Sequence, residues 1–206
     1  NQQLLRADFE SCPSAQLLER SVADFREISQ TVDAVVISDY GKGGLAYIGQ
    51  MIQVARDRAI PVIVDPKGAD YGRYRGATLV TPNRDEFALA TGVATDDPAI
   101  FDTAQSLVEH SDVKGLLVTR GDEGMTLFLA SAKAIPQDAT AREVFDVSGA
   151  GDTVVAIISV CIAAGLDWAD AIKWATRGAS AVVGRFGTSV VRPSDLTLDP
   201  RGEDLK

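Results

Sequence analysis

The sequence predicts a single α/β domain built on a largely parallel sheet, and three observations predict it. Short apolar runs alternate with stretches of helical periodicity along nearly the whole 206-residue chain, the signature of strand–helix units. The runs are brief and apolar throughout, as at Ala34–Ile37 and Ala77–Val80, which suits buried strands. Polar or glycine-bearing clusters stand just after the runs: Asp39, Asp65 with Lys67, Asn83 with Glu86, Thr119 with Gly121, and Gly149 to Asp152. Ligands of open parallel sheets bind past the carboxyl ends of the strands, so these clusters together describe one site.

The elements follow in order. Leu5, Ala7 and Phe9 alternate with Arg6 and Asp8 and read as a strand with one buried face. Ser11 and Pro13 mark a helix start, with Leu18, Val22, Phe25 and Ile28 at helical spacing. The strand at 34–37 ends at Ser38-Asp39, and a turn with Gly41, Gly43 and Gly44 leads into a helix presenting Leu45, Ile48, Ile52 and Ala55 on one face. Pro61–Val64 is a strand ending at Asp65-Pro66-Lys67-Gly68, and Ala77–Val80 one ending at Thr81-Pro82-Asn83, with a short helix after it. Asp97-Pro98 opens a helix to about His110. Leu116–Thr119 and Met125–Leu129 form a hairpin around Arg120-Gly121, and Glu143–Phe145 is a short strand running into Asp146. Two helices cover about Asp152–Ala164 and Asp167–Val183, and the tail from Pro200 is polar and loose.

Bulk properties exclude several roles. The chain is 46% hydrophobic and 24% charged, a globular rather than disordered balance. A net charge of −9 disfavours nucleic acid and anionic membranes as partners. It leaves a small phosphorylated ligand open, since a few backbone N–H groups hold one. The longest apolar stretch, Val154–Ala164, is too short to span a bilayer. Cys12 and Cys161 have no metal-ligand spacing; Cys161 reads as a buried thiol, and a reducing cytoplasm is expected. His110, the only histidine, is expected on a helix surface.

The densest chemistry lies in Asp146-Val147-Ser148-Gly149-Ala150-Gly151-Asp152-Thr153, ahead of an apolar helix. Small residues let the backbone approach an anion, and the N–H groups of Gly149, Ala150 and Gly151 would meet at a helix N-terminus, where negative charge is stabilised. Asp152, in the first turn, is placed to take a proton from an attacking hydroxyl, although aspartate is favoured there on structural grounds alone. Asn83-Arg84-Asp85-Glu86 reads equally as a capping box and as a polar pair that helps to hold Mg²⁺ through waters. Lys67 suits a phosphate, and Thr119 to Gly124 is either a plain hairpin turn or a phosphate-side loop. No Walker loop is present.

These residues resemble the PfkB/ribokinase family of carbohydrate kinases, in whose signature Thr or Ser precedes Gly-Ala-Gly-Asp; Ser148 stands there in this chain. Asn83-x-x-Glu86 is similar to the family's Mg²⁺-related motif and Thr119-Arg-Gly121-x-x-Gly124 to its phosphate-side turn, in the expected order. The resemblance implies a ribokinase-like fold, ATP and Mg²⁺ as cofactors, Asp152 as catalytic base and Gly149, Ala150 and Gly151 as anion hole. It implies nucleotide contacts from Lys67, Asn83, Glu86, Thr119, Gly121 and Gly124, with Ala179, Val183 and Gly187 bordering adenine. A monovalent cation such as K⁺ is expected near Asp146 and Ser148. Ser38-Asp39-Tyr40-Gly41-Lys42-Gly43 and Asp65-Pro66-Lys67-Gly68-Ala69-Asp70 are similar to the heptose 7-phosphate kinase branch, which implies Asp39 and Lys42 on the sugar side. That branch implies transfer of the ATP γ-phosphoryl to an anomeric hydroxyl in ADP-heptose formation, often with a fused adenylyltransferase domain.

The chain begins at Asn1, and the family's N-terminal strands, Gly-rich sugar segment and small β lid have no counterpart in it. Part of the sugar pocket is therefore expected to lie elsewhere, turnover by this chain alone is expected to be poor, and an exposed sheet edge would favour pairing with another copy. A kinase for another sugar or nucleoside, and a nucleotide-binding fragment without catalysis, are the competing readings.

Overall fold

The computed structural model describes residues 5, 11–130, 132–140 and 144–197. Six strands form one sheet in the order β1 (Val35–Ser38), β2 (Val62–Asp65), β3 (Leu79–Val80), β4 (Gly115–Thr119), β5 (Met125–Leu129), β6 (Ile135–Gln137). The first four are parallel, with Ser38 opposite Asp65, Val64 opposite Val80, and Val80 opposite Leu116; β5 and β6 then add antiparallel, with Thr119 opposite Met125. The carboxyl ends of β1 to β4 consequently share one edge. Helices are α1 (Ala15–Ile28), α2 (Ile48–Asp57), α3 (Arg84–Thr91), α4 (Ile100–Ser111), α5 (Ala150–Ala163), α6 (Trp168–Val183) and α7 (Pro193–Thr197). None is long and apolar enough to cross a membrane.

Alternation along β2 explains the layering. Val62 and Val64 point to one face, where α2, α3, α4 and Tyr71, Tyr74 and Phe128 complete a fully buried core. Ile63 points to the other, against Leu79, Leu117, Leu127 and the apolar sides of α5 and α6. Both faces are covered, and this is why the strands read as continuous apolar runs. Close approach of α5 and α6 is set by Gly178, where a Cβ would stand 1.9 Å from Ile157 Cδ1.

Helix ends follow local chemistry. Asn83 and Glu86 form a reciprocal capping box on α3: Asn83 Oδ1 accepts from the Glu86 N–H at 2.9 Å, and Glu86 Oε2 accepts from the Asn83 N–H at 3.1 Å. Asp167 caps α6 through the Asp170 N–H. Helix α1 begins one turn later than Ser11 and Pro13 suggest, because Ser14 takes the cap and accepts from the Leu17 N–H.

Three expectations need correction or fall outside. The alternation at Leu5–Phe9 and the tail from Pro200 lie outside the described residues, apart from Leu5 itself. Of the strand expected over 143–145, Glu143 is also outside, and Val144-Phe145 is not a strand. Instead the Phe145 N–H donates to the Val183 carbonyl at 2.8 Å, so this segment docks on the end of α6. Strand β6 was not foreseen; Ile135-Pro136-Gln137 is too short to show alternation. Cys161 is buried as expected, and burial pushes its thiol pKa up.

Candidate active site at the strand ends

The segment after β1 is built on Asp39, which is 5% exposed. Its Oδ1 accepts from the Gly41 N–H at 2.8 Å, and Oδ2 accepts from the Tyr74 hydroxyl at 2.9 Å and pairs with Arg73 Nη1 at 3.2 Å. The expected sugar-side aspartate is thus committed to protein partners and holds the turn that carries Lys42, which is exposed. These contacts have a simple cause: a buried carboxylate is tolerated only when its oxygens are satisfied.

After β2, Asp65 sits between Ser38, whose hydroxyl donates to Asp65 Oδ2 at 3.2 Å, and the acidic groups of the neighbouring loops. Burial raises its pKa, the Ser38 hydrogen bond lowers it, Glu86 and Asp152 raise it, and Lys67 lowers it. The charges of the segments after β2, of α3 and of α5 therefore meet at one place. Lys67 Nζ lies 3.2 Å from Glu86 Oε1, and the Glu86 side chain is only 13% exposed. Asn83 and Glu86 form the box and face Lys67 at once, so the capping and ligand readings coexist. Asn83 is bridged to Thr119, whose N–H donates to the Pro82 carbonyl at 2.9 Å. The positions after β3 and β4 that the sequence assigns to the nucleotide are thereby adjacent.

Helix α5 supplies the anion end. Gly149 caps it with φ +81°, a left-handed conformation that β-branched residues avoid. Gly151 is helical, and a Cβ there would meet nothing within 4 Å. No packing contact among the described residues requires a glycine at that position. The Ala150 N–H is partly drawn into a turn bond to the Val147 carbonyl at 3.2 Å, which amends the expected three-donor cradle. The Gly151 and Asp152 N–H groups have no acceptor among the described residues, and no donor among them reaches the exposed Asp152 carboxylate. Asp146 Oδ1 accepts from the Ser148 N–H at 2.8 Å; this, the Ser148 side chain and a Gly187 N–H hold its pKa below the ordinary carboxylate value. Asp146 thus staples the loop before α5 to the loop after α6.

The remaining expected residues divide. Gly121 and Gly187 are left-handed with open space around them, as ligand-facing turns require. Gly124 has a packing reason: a Cβ would fall 2.1 Å from the Gln137 carbonyl oxygen. Val183 is buried and accepts from the Phe145 and Asp146 N–H groups through its carbonyl, and Ala179 packs into the core beside α5. Both position the loops and present little surface of their own. His110 is exposed on α4, away from the strand ends. The tyrosines of the 3-10 turn Tyr71–Tyr74 carry no spacing signal for their contacts, because their hydroxyl partners, the Glu86 carbonyl and Asp39, stand far off in the sequence.

The carboxylates fit a magnesium ion. Asp65, Glu86 and Asp152 are hard oxygen donors, and Glu86 and Asp152 lie near enough to raise the proton affinity of Asp65, yet no group of three ligands among the described residues could hold a metal unaided. Mg²⁺ typically keeps several waters and leans on substrate phosphates.

Comparison with known proteins agrees with this geometry. The chain is 49% identical over 196 residues to a Bordetella bronchiseptica D-beta-D-heptose 7-phosphate kinase, covering 95% of this chain and 62% of that protein. It is 44% identical to the bifunctional protein HldE of Edwardsiella ictaluri, covering 98% of this chain and 42% of that one. The chain therefore spans less than two thirds of the curated relatives it matches. Arabidopsis thaliana ribokinase, solved with ribose and ATP, superposes with a TM-score of 0.72 at 25% identity, over 80% of this chain and 54% of that one. Escherichia coli phosphofructokinase-2 in complex with potassium shares the fold with a TM-score of 0.78 at 22% identity, over 90% and 61%. The sequence model described as pfkB family carbohydrate kinase matches residues 11–195, and the chain belongs to that family.

Proposed function

We propose that this chain forms the nucleotide-binding and catalytic part of an ATP-dependent kinase that phosphorylates the anomeric hydroxyl of a heptose 7-phosphate. One observation carries the reading. The N-terminus of α5, with its unengaged N–H groups and unpartnered Asp152, stands beside Asp65, Lys67 and Glu86 at the strand ends. The heptose assignment rests on the two curated relatives, at 49% and 44% identity.

In this reading Asp152 accepts the proton of the attacking hydroxyl as its oxygen bonds to the γ-phosphorus. The bond to the ADP oxygen breaks, and the Gly151 and Asp152 N–H groups with the dipole of α5 stabilise the charge on the equatorial oxygens. Lys67 meets the phosphates as a point charge. Asn83 and Glu86, with Asp65 and Asp152 nearby, would hold Mg²⁺, which would supply positive charge to the phosphates. Asp146 and Ser148 offer oxygen donors to K⁺, and Gly187 with the end of α6 borders adenine. ATP and sugar phosphate place the protein in the cytoplasm. A fused adenylyltransferase domain, for which the match to a bifunctional relative leaves room, and self-association complete the proposal.

The test is calorimetric titration of Mg²⁺ and a non-hydrolysable ATP analogue into the chain, beside Gly149→Val. Binding that the variant loses while keeping its fold supports the reading; absence of binding to the folded wild type overturns it. In the longer protein, a panel of heptose 7-phosphate, ribose, fructose 6-phosphate and nucleosides then tests the substrate, and preference for any other acceptor defeats the heptose assignment.

A further inference from the structure

We propose that Tyr74 is a positioning residue, whose buried hydroxyl fixes the loop of Lys67 to the loop of Asp39 and so determines where the Lys67 ammonium stands. The role rests on the phosphoryl-transfer reading above, although its structural half can be tested without it. Tyr74 is 0% exposed. Its hydroxyl accepts from the Lys67 N–H at 3.0 Å and donates to Asp39 Oδ2 at 2.9 Å, with the Lys67 carbonyl 3.1 Å away as alternative acceptor. One side-chain atom thus joins the segments that follow β1 and β2.

The surrounding contacts make this joint stiff. Arg73 pairs with the same Asp39 oxygen and donates from Nη2 to the Leu45 carbonyl at 3.1 Å, so the 3-10 turn also grips the segment before α2. Tyr71, at the other end of the turn, donates to the Glu86 carbonyl at 3.3 Å. The turn therefore touches the chain at Asp39, Lys67 and Glu86. Burial pushes the Tyr74 hydroxyl up to about 12, which keeps it protonated and able to donate at any physiological pH.

The Lys67–Glu86 ion pair cannot perform this task alone. The Lys67 side chain is 56% exposed, and an ion pair that open to solvent is worth little and fixes no geometry. What restricts the ammonium is the anchorage of its own backbone, and Tyr74 supplies two of the polar contacts there. Removing the hydroxyl leaves a partly buried N–H and a buried carboxylate oxygen each short of a partner.

The experiment reads Lys67 directly. Reductive ¹³C-methylation of the chain gives each lysine a resonance, and that of Lys67 is identified by its loss in Lys67→Arg. Glu86→Gln is expected to move this resonance, and Tyr74→Phe to move it in the same direction. A Tyr74→Phe resonance that coincides with wild type overturns the proposal. Amide hydrogen exchange on the unmodified chain needs no variant that might misfold: the Lys67 N–H, though in a loop, is expected to be protected about 100-fold or more. Exchange at the unprotected rate also overturns it. In the longer protein, Tyr74→Phe is expected to lower kcat about tenfold but to change it less than about twofold in a Lys67→Met background. Equal losses in both backgrounds mean that Tyr74 acts by general stability and refute its action through Lys67. A wild type without phosphoryl transfer would defeat the kinase reading instead, leaving the resonance and exchange results to decide the anchorage.

Discussion

Replacing Gly124 by alanine separates a packing glycine from a ligand-facing one. Gly124 has φ +86° and ψ −136°, a conformation open in practice to glycine alone. Forcing an L-residue into it costs about 1–3 kcal/mol. A Cβ would also lie 2.1 Å from the Gln137 carbonyl oxygen and 2.6 Å from the Ala139 nitrogen. These are backbone atoms at the end of β6, so no rotamer change relieves them; displacing the strand end adds about 1–3 kcal/mol. A total near ~4 kcal/mol corresponds to a fall in Tm of about 8–16 °C for a chain of this size. Thermal unfolding by circular dichroism measures it, with Gly121→Ala as control, since open space surrounds Gly121. A Gly124→Ala protein that melts within about 2 °C of wild type yet no longer binds nucleotide would refute the packing argument and restore a ligand role to this glycine.

Other perturbations probe the charged groups. Asp152→Asn is expected to lower kcat of the longer protein by about 10²–10⁴-fold while calorimetric affinity for Mg·ATP analogue stays close to wild type; loss of binding with unchanged kcat would contradict a base. Asp65 has a raised pKa, so the native state keeps its proton where the unfolded chain has lost it, and its contribution to stability falls as pH rises from the ordinary carboxylate value through the raised one. Asp65→Asn should therefore gain in Tm relative to wild type as pH rises through that interval, and parallel pH profiles would reject the coupling. Asp146 has the opposite sign: its lowered pKa gives stability that is present above the ordinary carboxylate value and lost as pH falls through the lowered one. Asp146→Asn should melt earlier than wild type at pH 7, the two converging in acid; a difference that persists at low pH would assign the effect to packing.

Much of the fold is legible because several signals agree at each element. At α3, Asn83 and Glu86 have capping-box spacing, the preceding run is apolar, and a glycine at position 92 ends the helix in the left-handed conformation. At α6, Asp167 caps and Val183 closes. The failures lie where one signal stands alone. Val144 and Phe145 have strand-forming side chains, but the backbone answers to the free carbonyl at the end of α6, a tertiary partner that local propensity does not contain. Gly124 carries the same ambiguity on the site side: its one letter reads identically whether a phosphate or the backbone of β6 needs the space. The role of Tyr74 is hidden for a different reason, since no local spacing ties its hydroxyl to the distant Asp39 carboxylate or to the Lys67 backbone.

What separates function from architecture at the strand ends is how completely each polar group is used by the protein itself. Asp39 has three protein contacts and Asn83 both halves of a capping box, so their presence is explained by the fold even if nothing binds. Asp152 and the Gly151 N–H have no such employment, and Gly151 lacks a side chain where one would fit. Helix dipole alone favours an aspartate at that turn, but it gives no reason for a glycine beside it, which weakens the helix by about 1 kcal/mol relative to alanine. A stability cost with no packing contact to explain it, next to an unpaired carboxylate that acts on Asp65 together with Lys67 and Glu86, supports the proposed approach of a phosphoryl group. Gly151→Ala is the corresponding substitution: it should stabilise α5 by that ~1 kcal/mol while weakening binding of the ATP analogue. A variant that gains stability and keeps full affinity would return Gly151 to the architecture.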